Sequence, residues 1–207
     1  MTSNRFTEAN TEELYAHVDS LCRTFWDREG SLHWGYFENP NAAYLSPDDF
    51  LPASRRWDQC MLERSGIGAS SRVLDLGCGN GNAAIWLAQQ TGCEVVGVDL
   101  SGVRIKNAQA KAQEYPSLRL SFHKASATQL PFPEETFTHV WSQATLYHVH
   151  ERPSALREVY RVLQVGGRFV FDDLVTPLPL NQLSEAAQKY VYERILFKPL
   201  FSGESYA

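Results

Sequence analysis

Two carboxylates and a glycine-rich turn carry most of the chemistry in this chain. Val73-Leu74-Asp75-Leu76-Gly77-Cys78-Gly79-Asn80-Gly81 is an apolar run ending in glycine at every second position. That is the pattern of a strand turning tightly into a loop whose main chain a ligand can approach closely. The residues that follow, Asn82-Ala83-Ala84-Ile85-Trp86-Leu87-Ala88, can open a helix whose first N–H groups have no intrahelical partner and point at that ligand. The dinucleotide fingerprint G-x-G-x-x-G places its third glycine one position later than Gly81, so the loop by itself leaves a bare strand-to-helix turn open. Asp99 narrows the choice. It ends the next apolar run about 20 residues beyond the loop, where a carboxylate accepts both hydroxyls of a ribose. Loop and acid together describe a site for an adenosine-type ligand.

The elements that must position these residues alternate. Apolar runs at Val73 to Leu76, Val95 to Val98, Leu118 to Phe122, Phe137 to Trp141 and Phe169 to Phe171 are separated by helical patterns, two of them clear, through Ile105, Ala108, Ala112 and Tyr115 and through Leu156, Val159 and Leu163. Alternation of this kind predicts an α/β fold, a Rossmann-like doubly wound sheet, mostly parallel, with helices on both faces. Ligands of such sheets sit at the carboxyl ends of the strands, and Asp75, Asp99, Ser126, Gln143, His148 and Asp173 all fall at or just past such ends. Ahead of the sheet, Asn10-x-x-Glu13 has capping-box spacing and Leu14, Val18, Leu21 and Phe25 form a helical stripe. Ser46-Pro47 starts a second helix carrying Phe50, Trp57 and Met61 and stopping near Gly66. Residues 1–66 are read as an N-terminal helical lid and residues 67–207 as the ligand-binding unit.

The whole chain sets the bounds. Its 207 residues suffice for one domain with a substantial core. With 19 Lys and Arg against 24 Asp and Glu and no basic cluster, nucleic acid is not an expected partner. The scattered Cys22, Cys60, Cys78 and Cys93 form no C-x-x-C pair, which predicts reduced thiols, with Cys78 a small space-filler in the loop. No signal-peptide pattern or membrane-length apolar run is present, so a cytoplasmic protein with no membrane partner is expected.

The loop block is followed by Val96-Gly97-Val98-Asp99-Leu100-Ser101, Leu130-Pro131-Phe132-Pro133, Phe137-Thr138-His139-Val140-Trp141-Ser142-Gln143, and Glu158-Val159-Tyr160-Arg161-Val162-Leu163 leading to Gly166-Gly167-Arg168-Phe169. In this order, over residues 70–175, the chain resembles class I S-adenosylmethionine-dependent methyltransferases. The resemblance implies that Asp75 orients the loop and holds the amino group of the donor's methionine part. Gly77, Gly79 and Gly81 would form the loop that admits the donor, Asp99 would take its ribose hydroxyls and Leu100 would pack on its adenine. Ala127 and Gln143 are further expected donor contacts, and S-adenosylhomocysteine is the implied product. The family's pattern has an acidic residue after the third strand to receive the adenine amino group. This chain has Ser126 there, and a hydroxyl accepts that bond at lower strength than a carboxylate, so weaker donor affinity is expected.

A narrower resemblance concerns the acceptor. Leu32-His33-Trp34-Gly35-Tyr36-Phe37, Ala53-Ser54-Arg55-Arg56 and Trp141-Ser142-Gln143, with His148 and Asp173, are similar to small-molecule methyltransferases. That group includes the glycine, sarcosine and dimethylglycine N-methyltransferases, with related N-terminal segments in sugar and tocopherol-type enzymes. The resemblance implies that His33, Trp34, Tyr36 and Phe37 line the acceptor pocket as a lid. Such a lining suits a cationic amine and equally a stacked phenol or quinol. His148, with an ordinary pKa of about 6.5, is the expected base or acceptor-orienting residue, a backbone-bonded structural histidine being the alternative. Asp173 is read as a contact to an acceptor amine or as a strand-end cap. His148-x-His150 with Asp172 and Asp173 is a poor set for magnesium, which prefers oxygen ligands, and no metal is expected.

Methyltransferases of this class close with two further strands, and the chain supplies only a helix-like run, Leu183 to Phe197, after the fifth. An open sheet edge invites pairing, so truncation of a longer product, or a homodimer covering that edge, is expected. The function expected is methyl transfer to a small molecule, with an amine nitrogen foremost. Phenol, quinol or sugar methylation, a non-catalytic donor-binding module, and a nicotinamide oxidoreductase are the rivals in that order.

Overall fold

Parallel strands covered on both faces must be apolar at nearly every position, and the central strands here meet that demand. A computed structural model describes residues 7–25, 34–39, 47–149, 151–175, 182 and 184–186. Its sheet contains β1 (Arg72–Leu76), β2 (Glu94–Asp99), β3 (Leu120–Lys124), β4 (Phe137–Ser142) and β5 (Leu163–Phe171), in the order β3-β2-β1-β4-β5. Every pairing is parallel, with Leu74 beside Val96 and Val140 in register. The strand order reverses between β1 and β4, which opens a crevice beyond the carboxyl end of β1. Successive side chains alternate between two cores. Val73 and Val95 join Ala84, Leu87, Ile105, Phe122 and Trp141 on one face, while Leu74, Leu76, Val96 and Val98 join Phe137, Val140, Val159 and Val162 on the other. Each fully buried Val or Leu contributes about 1.5–3 kcal/mol, enough collectively to fix the strand ends where the chemistry lies.

The helices are α1 (Glu8–Phe25), α2 (Phe50–Ser65), α3 (Asn82–Thr91), α4 (Gly102–Ala112) and α5 (Arg152–Val162). Helix α1 starts a turn earlier than the Asn10-x-x-Glu13 spacing predicts. Thr7 and Asn10 cap it reciprocally: the Asn10 N–H donates to Thr7 Oγ1 at 3.3 Å and the Thr7 N–H to Asn10 Oδ1 at 3.2 Å. Its side chains are described only through Tyr15 and at His17, so the predicted stripe at Val18, Leu21 and Phe25 falls outside the described side chains. Helix α2 stops at Gly66, as predicted, with that glycine in the left-handed region, and a single 3₁₀ turn at Pro47–Asp49 precedes its start at Phe50.

The last strand departs most from expectation. Leu163, predicted to close the helix, instead begins β5, and the register with β4 shifts between Phe137 and His139 as the chain passes Gly166 and Gly167. A bulge absorbs these extra residues. Among the described residues no strand lies beyond β5, and no helix is long and apolar enough to cross a membrane. Leu183 and the helix-like run expected through Phe197 fall almost entirely outside the described residues.

Candidate functional site

The crevice beyond β1 is a cleft walled by three strand ends and one face of α1. Gly77, Cys78, Gly79, Asn80, Asn82 and Ala83 form its floor; Asp99, Leu100, Ala125 and Ala127 one side; Gln143, Thr145 and His148 the other; and Glu8, Thr11, Glu12 and Tyr15 its cover. Gly77 is required where it stands. At φ +80° a Cβ there would lie 2.1 Å from Thr145 Oγ1, so only glycine lets the loop after β1 pass under the loop after β4. Gly79 faces the cleft, and a Cβ there would meet nothing nearer than Arg104 Nη1 at 3.6 Å. Gly81 does different work. It is the N-cap of α3, packed so that a Cβ would lie 2.9 Å from Ala108 Cβ, and it is not among the cleft-lining residues. Cys78 is buried, its thiol pushed well above its ordinary range by burial and then by Asp75 and Asp99, which suits a space-filler.

Asp75 and Asp99 differ in environment. Asp99 is anchored: Oδ2 accepts the Gly79 N–H at 2.9 Å and Oδ1 the Ser101 N–H at 2.8 Å. Both oxygens are thereby fixed at the edge of the cleft that Asp99 lines. Asp75 is 2% exposed and its Oδ2 has no hydrogen-bond partner among the described residues. Burial first, then repulsion from Asp99 and Asp58, pushes its pKa up to about 8. A buried, unsatisfied acceptor costs about 1–3 kcal/mol, and natural structures keep such groups where something else completes them. An ammonium group lying in the cleft supplies both the charge and the donor. The site therefore fits the methionine end of an S-adenosyl donor.

Gln143 lines the cleft, but its amide is engaged behind it. Nε2 donates to Asp58 Oδ1 at 2.9 Å, Oε1 accepts from Trp141 Nε1 at 3.0 Å, and Arg55 Nη1 donates to Asp58 Oδ2 at 3.1 Å. Asp58 is fully buried, so this chain of bonds ties α2 to the end of β4. The same junction is held by Asp172, which accepts from Trp57 Nε1 at 2.7 Å and from the Ala144 N–H at 2.5 Å. Ala144 sits at φ 49°, a conformation that a non-glycine residue keeps only under such restraint. Asp173, the residue singled out in the sequence, accepts the Leu174 N–H at 2.9 Å and is not among the cleft-lining residues.

His148 is brought to the cleft by a 3₁₀ turn whose N–H donates to the Thr145 carbonyl at 2.9 Å. Its Nε2 shares a hydrogen bond of 2.5 Å with the Tyr15 hydroxyl. Burial first, then the Arg104 and Arg152 guanidiniums, drives its pKa down to about 3. Tyr15 in turn lies against Arg104, whose guanidinium carbon is 3.9 Å from the ring centroid.

Two expectations meet a different arrangement. Ser126 turns its hydroxyl to Glu8, accepts the Thr128 N–H at 3.0 Å and is not among the cleft-lining residues, while its neighbours Ala125 and Ala127 are. The aromatic segment packs on α2 rather than over the cleft: the Tyr36 N–H donates to the Ala53 carbonyl at 2.9 Å and the Phe37 ring meets Phe50 edge-on at 5.5 Å. Trp34 and Tyr36 are about half exposed, at 46% and 51%. His33 and His150 lie outside the described residues. The cover that sequence reading missed is the polar face of α1, namely Glu8, Thr11, Glu12 and Tyr15, together with Arg104 on α4. The one signal for it was their spacing, i to i+3, i+4 and i+7, which places them on one helical face.

Comparison with known proteins agrees with this geometry. A methyltransferase-domain family model matches residues 74–171. An O-methyltransferase, resE, of Aspergillus sclerotiorum is 30% identical over 96% of this chain and 72% of its own length. A glycine/sarcosine/dimethylglycine N-methyltransferase of Actinopolyspora halophila is 30% identical over 81% of this chain and 31% of its own. A solved geranyl diphosphate methyltransferase, in complex with GPP and sinefungin, shares the fold with a TM-score of 0.80 at 19% identity, over 96% of this chain and 77% of that one. The chain spans less than two thirds of several curated relatives, 61% in the case of Methyltransferase GfsG of Streptomyces halstedii.

Proposed function

The chain belongs to the S-adenosylmethionine-dependent methyltransferases, and from that premise we propose that it transfers a methyl group to a small molecule held between α1 and the residues after β4, with an amine nitrogen as acceptor. The observation that carries the reading is the buried Asp75 carboxyl, which lines the cleft and whose Oδ2 has no partner among the described residues. In this reading Asp75 holds the donor's ammonium, Gly77 and Gly79 offer main chain along its length, Asp99 takes the ribose hydroxyls, and Leu100 and Ala127 flank the adenine. When bound, the donor supplies a methyl group on a positively charged sulfur, open to in-line attack.

What the chain must add is position and dryness. Holding two reactants in line is worth about 7–11 kcal/mol in favourable models, against about 100- to 10,000-fold from a general base. His148 suits the first task better than the second. A ring whose pKa is held near 3 takes up a proton poorly, whereas its nitrogen and the Tyr15 hydroxyl can hold an N–H and aim a lone pair. An amine that sheds its proton to solvent before entry needs only that. A hydroxyl acceptor needs its proton removed during reaction, so oxygen is the second reading, favoured by the O-methyltransferase among the relatives.

A screen of amines, phenols and alcohols scored by S-adenosylhomocysteine release, with product mass measured, tests the proposal. Products confined to amines support it. Products confined to hydroxyl compounds replace nitrogen by oxygen, and tight donor binding with no product from any pool makes the chain a donor-binding module.

A further inference from the structure

We propose that Glu8, on the first turn of α1, is the carboxylate that receives the exocyclic amino group of the donor's adenine, supplied from the covering helix in place of an acidic residue after β3. The inference rests on the donor-binding reading above. Its starting point is Ser126, whose hydroxyl donates to Glu8 Oε1 while accepting the Thr128 N–H at 3.0 Å. Thr128 Oγ1 donates to the same Glu8 oxygen at 3.3 Å. The β3 loop thus presents two hydroxyl donors that grip one oxygen of an incoming carboxylate, and the carboxylate they hold lines the cleft with Leu100, Ala125 and Ala127. The position is what an adenine amino group needs: a planar N–H donor between apolar side chains, facing a carboxylate acceptor.

Glu12, one turn further along the same face, fixes the helix in this pose. It accepts from Lys124 Nζ at 2.6 Å, at the end of β3, and the lysine bond holds its carboxyl below the usual range. The two carboxylates therefore have separable work. Glu12 clamps α1 onto the strand ends, and Glu8, so placed, reads the base. Cover and base recognition are then one event, because the helix that shuts the cleft brings the group that checks the ligand.

The experiment compares S-adenosylhomocysteine with its 6-oxo counterpart, S-inosylhomocysteine, by calorimetric titration of the full chain. The wild type should prefer the amino compound by about tenfold or more, the range of a hydrogen bond to a charged group. Glu8→Ala should bring that ratio close to one. Glu12→Ala should weaken both ligands alike and leave the ratio standing, which separates base reading from loosening of the helix. Placing an acid on the loop by adding Ser126→Asp to Glu8→Ala should restore the preference. A wild type that binds both ligands equally, or a Glu8→Ala protein that keeps the full ratio, overturns the proposal while leaving donor binding intact. A wild type that binds neither ligand overturns the donor-binding reading itself.

Discussion

Asp75→Asn should stabilise the ligand-free protein while weakening its hold on the donor. The carboxyl is 2% exposed, and burial followed by repulsion from Asp99 and Asp58 raises its pKa from 3.8 to about 8. In the unfolded chain it ionises near its ordinary value, whereas in the folded chain it keeps its proton. Between pH 4 and pH 8 folding therefore takes up a proton, so stability falls as pH rises through that window and levels off above it. At about 1.4 kcal/mol for each tenfold change in the ionisation constant, the penalty at pH 7 is of order 4 kcal/mol. Asparagine keeps the shape without the ionisation. Urea denaturation at pH 5 and pH 8 should show the wild type losing up to that amount more than the variant. Donor binding reverses the sign, because an arriving ammonium ionises the acid. Titration with S-adenosylhomocysteine at pH 7 in buffers of different ionisation heat should then reveal release of close to one proton from wild type and none from the variant, with affinity lower in the variant by about tenfold or more. Equal pH dependence in the two proteins, or tight binding by the variant, would refute the reasoning.

Three other perturbations follow from the same geometry. His148→Gln should flatten the acid limb of stability: the wild-type ring, with a pKa lowered from 6.5 to about 3, gives stability that is complete above pH 6.5 and lost as pH falls toward 3, a difference of about 2 kcal/mol at pH 5 that thermal denaturation can read. Gly77→Ala puts a methyl 2.1 Å from Thr145 Oγ1 at φ +80°, and strain of about 1–3 kcal/mol plus the displaced loop should abolish S-adenosylhomocysteine binding; a variant that binds normally would show that the two loops do not need this contact. Asp172→Ala orphans Trp57 Nε1 and the Ala144 N–H, and two lost partners at about 1–3 kcal/mol each should lower the urea midpoint clearly.

The sheet was legible because burial on both faces leaves a plain mark: Val73 to Leu76 and Val95 to Val98 are apolar runs closed by glycine or aspartate. The donor floor was legible for the same reason, since Gly77, Gly79 and Asp99 are tied by local geometry to the ends of those strands. What escaped depends on partners distant in sequence. Periodicity in α1 marks its apolar stripe, not what its polar face will meet, so Glu8 and Tyr15 gave no sign that they would reach Ser126 and His148, more than a hundred positions away. Asp172 and Asp173 are neighbours past a strand end, where no pattern decides which turns inward. The aromatic segment misled because Trp34 to Phe37 have the composition of a lining, while their backbone pairs with α2 at Ala53. Ser126 stands out in the sequence by its place in the loop, while its orientation is set by a carboxylate from elsewhere in the chain.

The central claim, that the cleft beyond β1 holds an S-adenosyl ligand with its ammonium on Asp75, is tested most directly by a crystal structure with S-adenosylhomocysteine. The account predicts the ligand's amino group within hydrogen-bond distance of Asp75 Oδ2 and both ribose hydroxyls on Asp99. An ammonium seated on another carboxylate, with Asp75 Oδ2 still unpartnered, would contradict it.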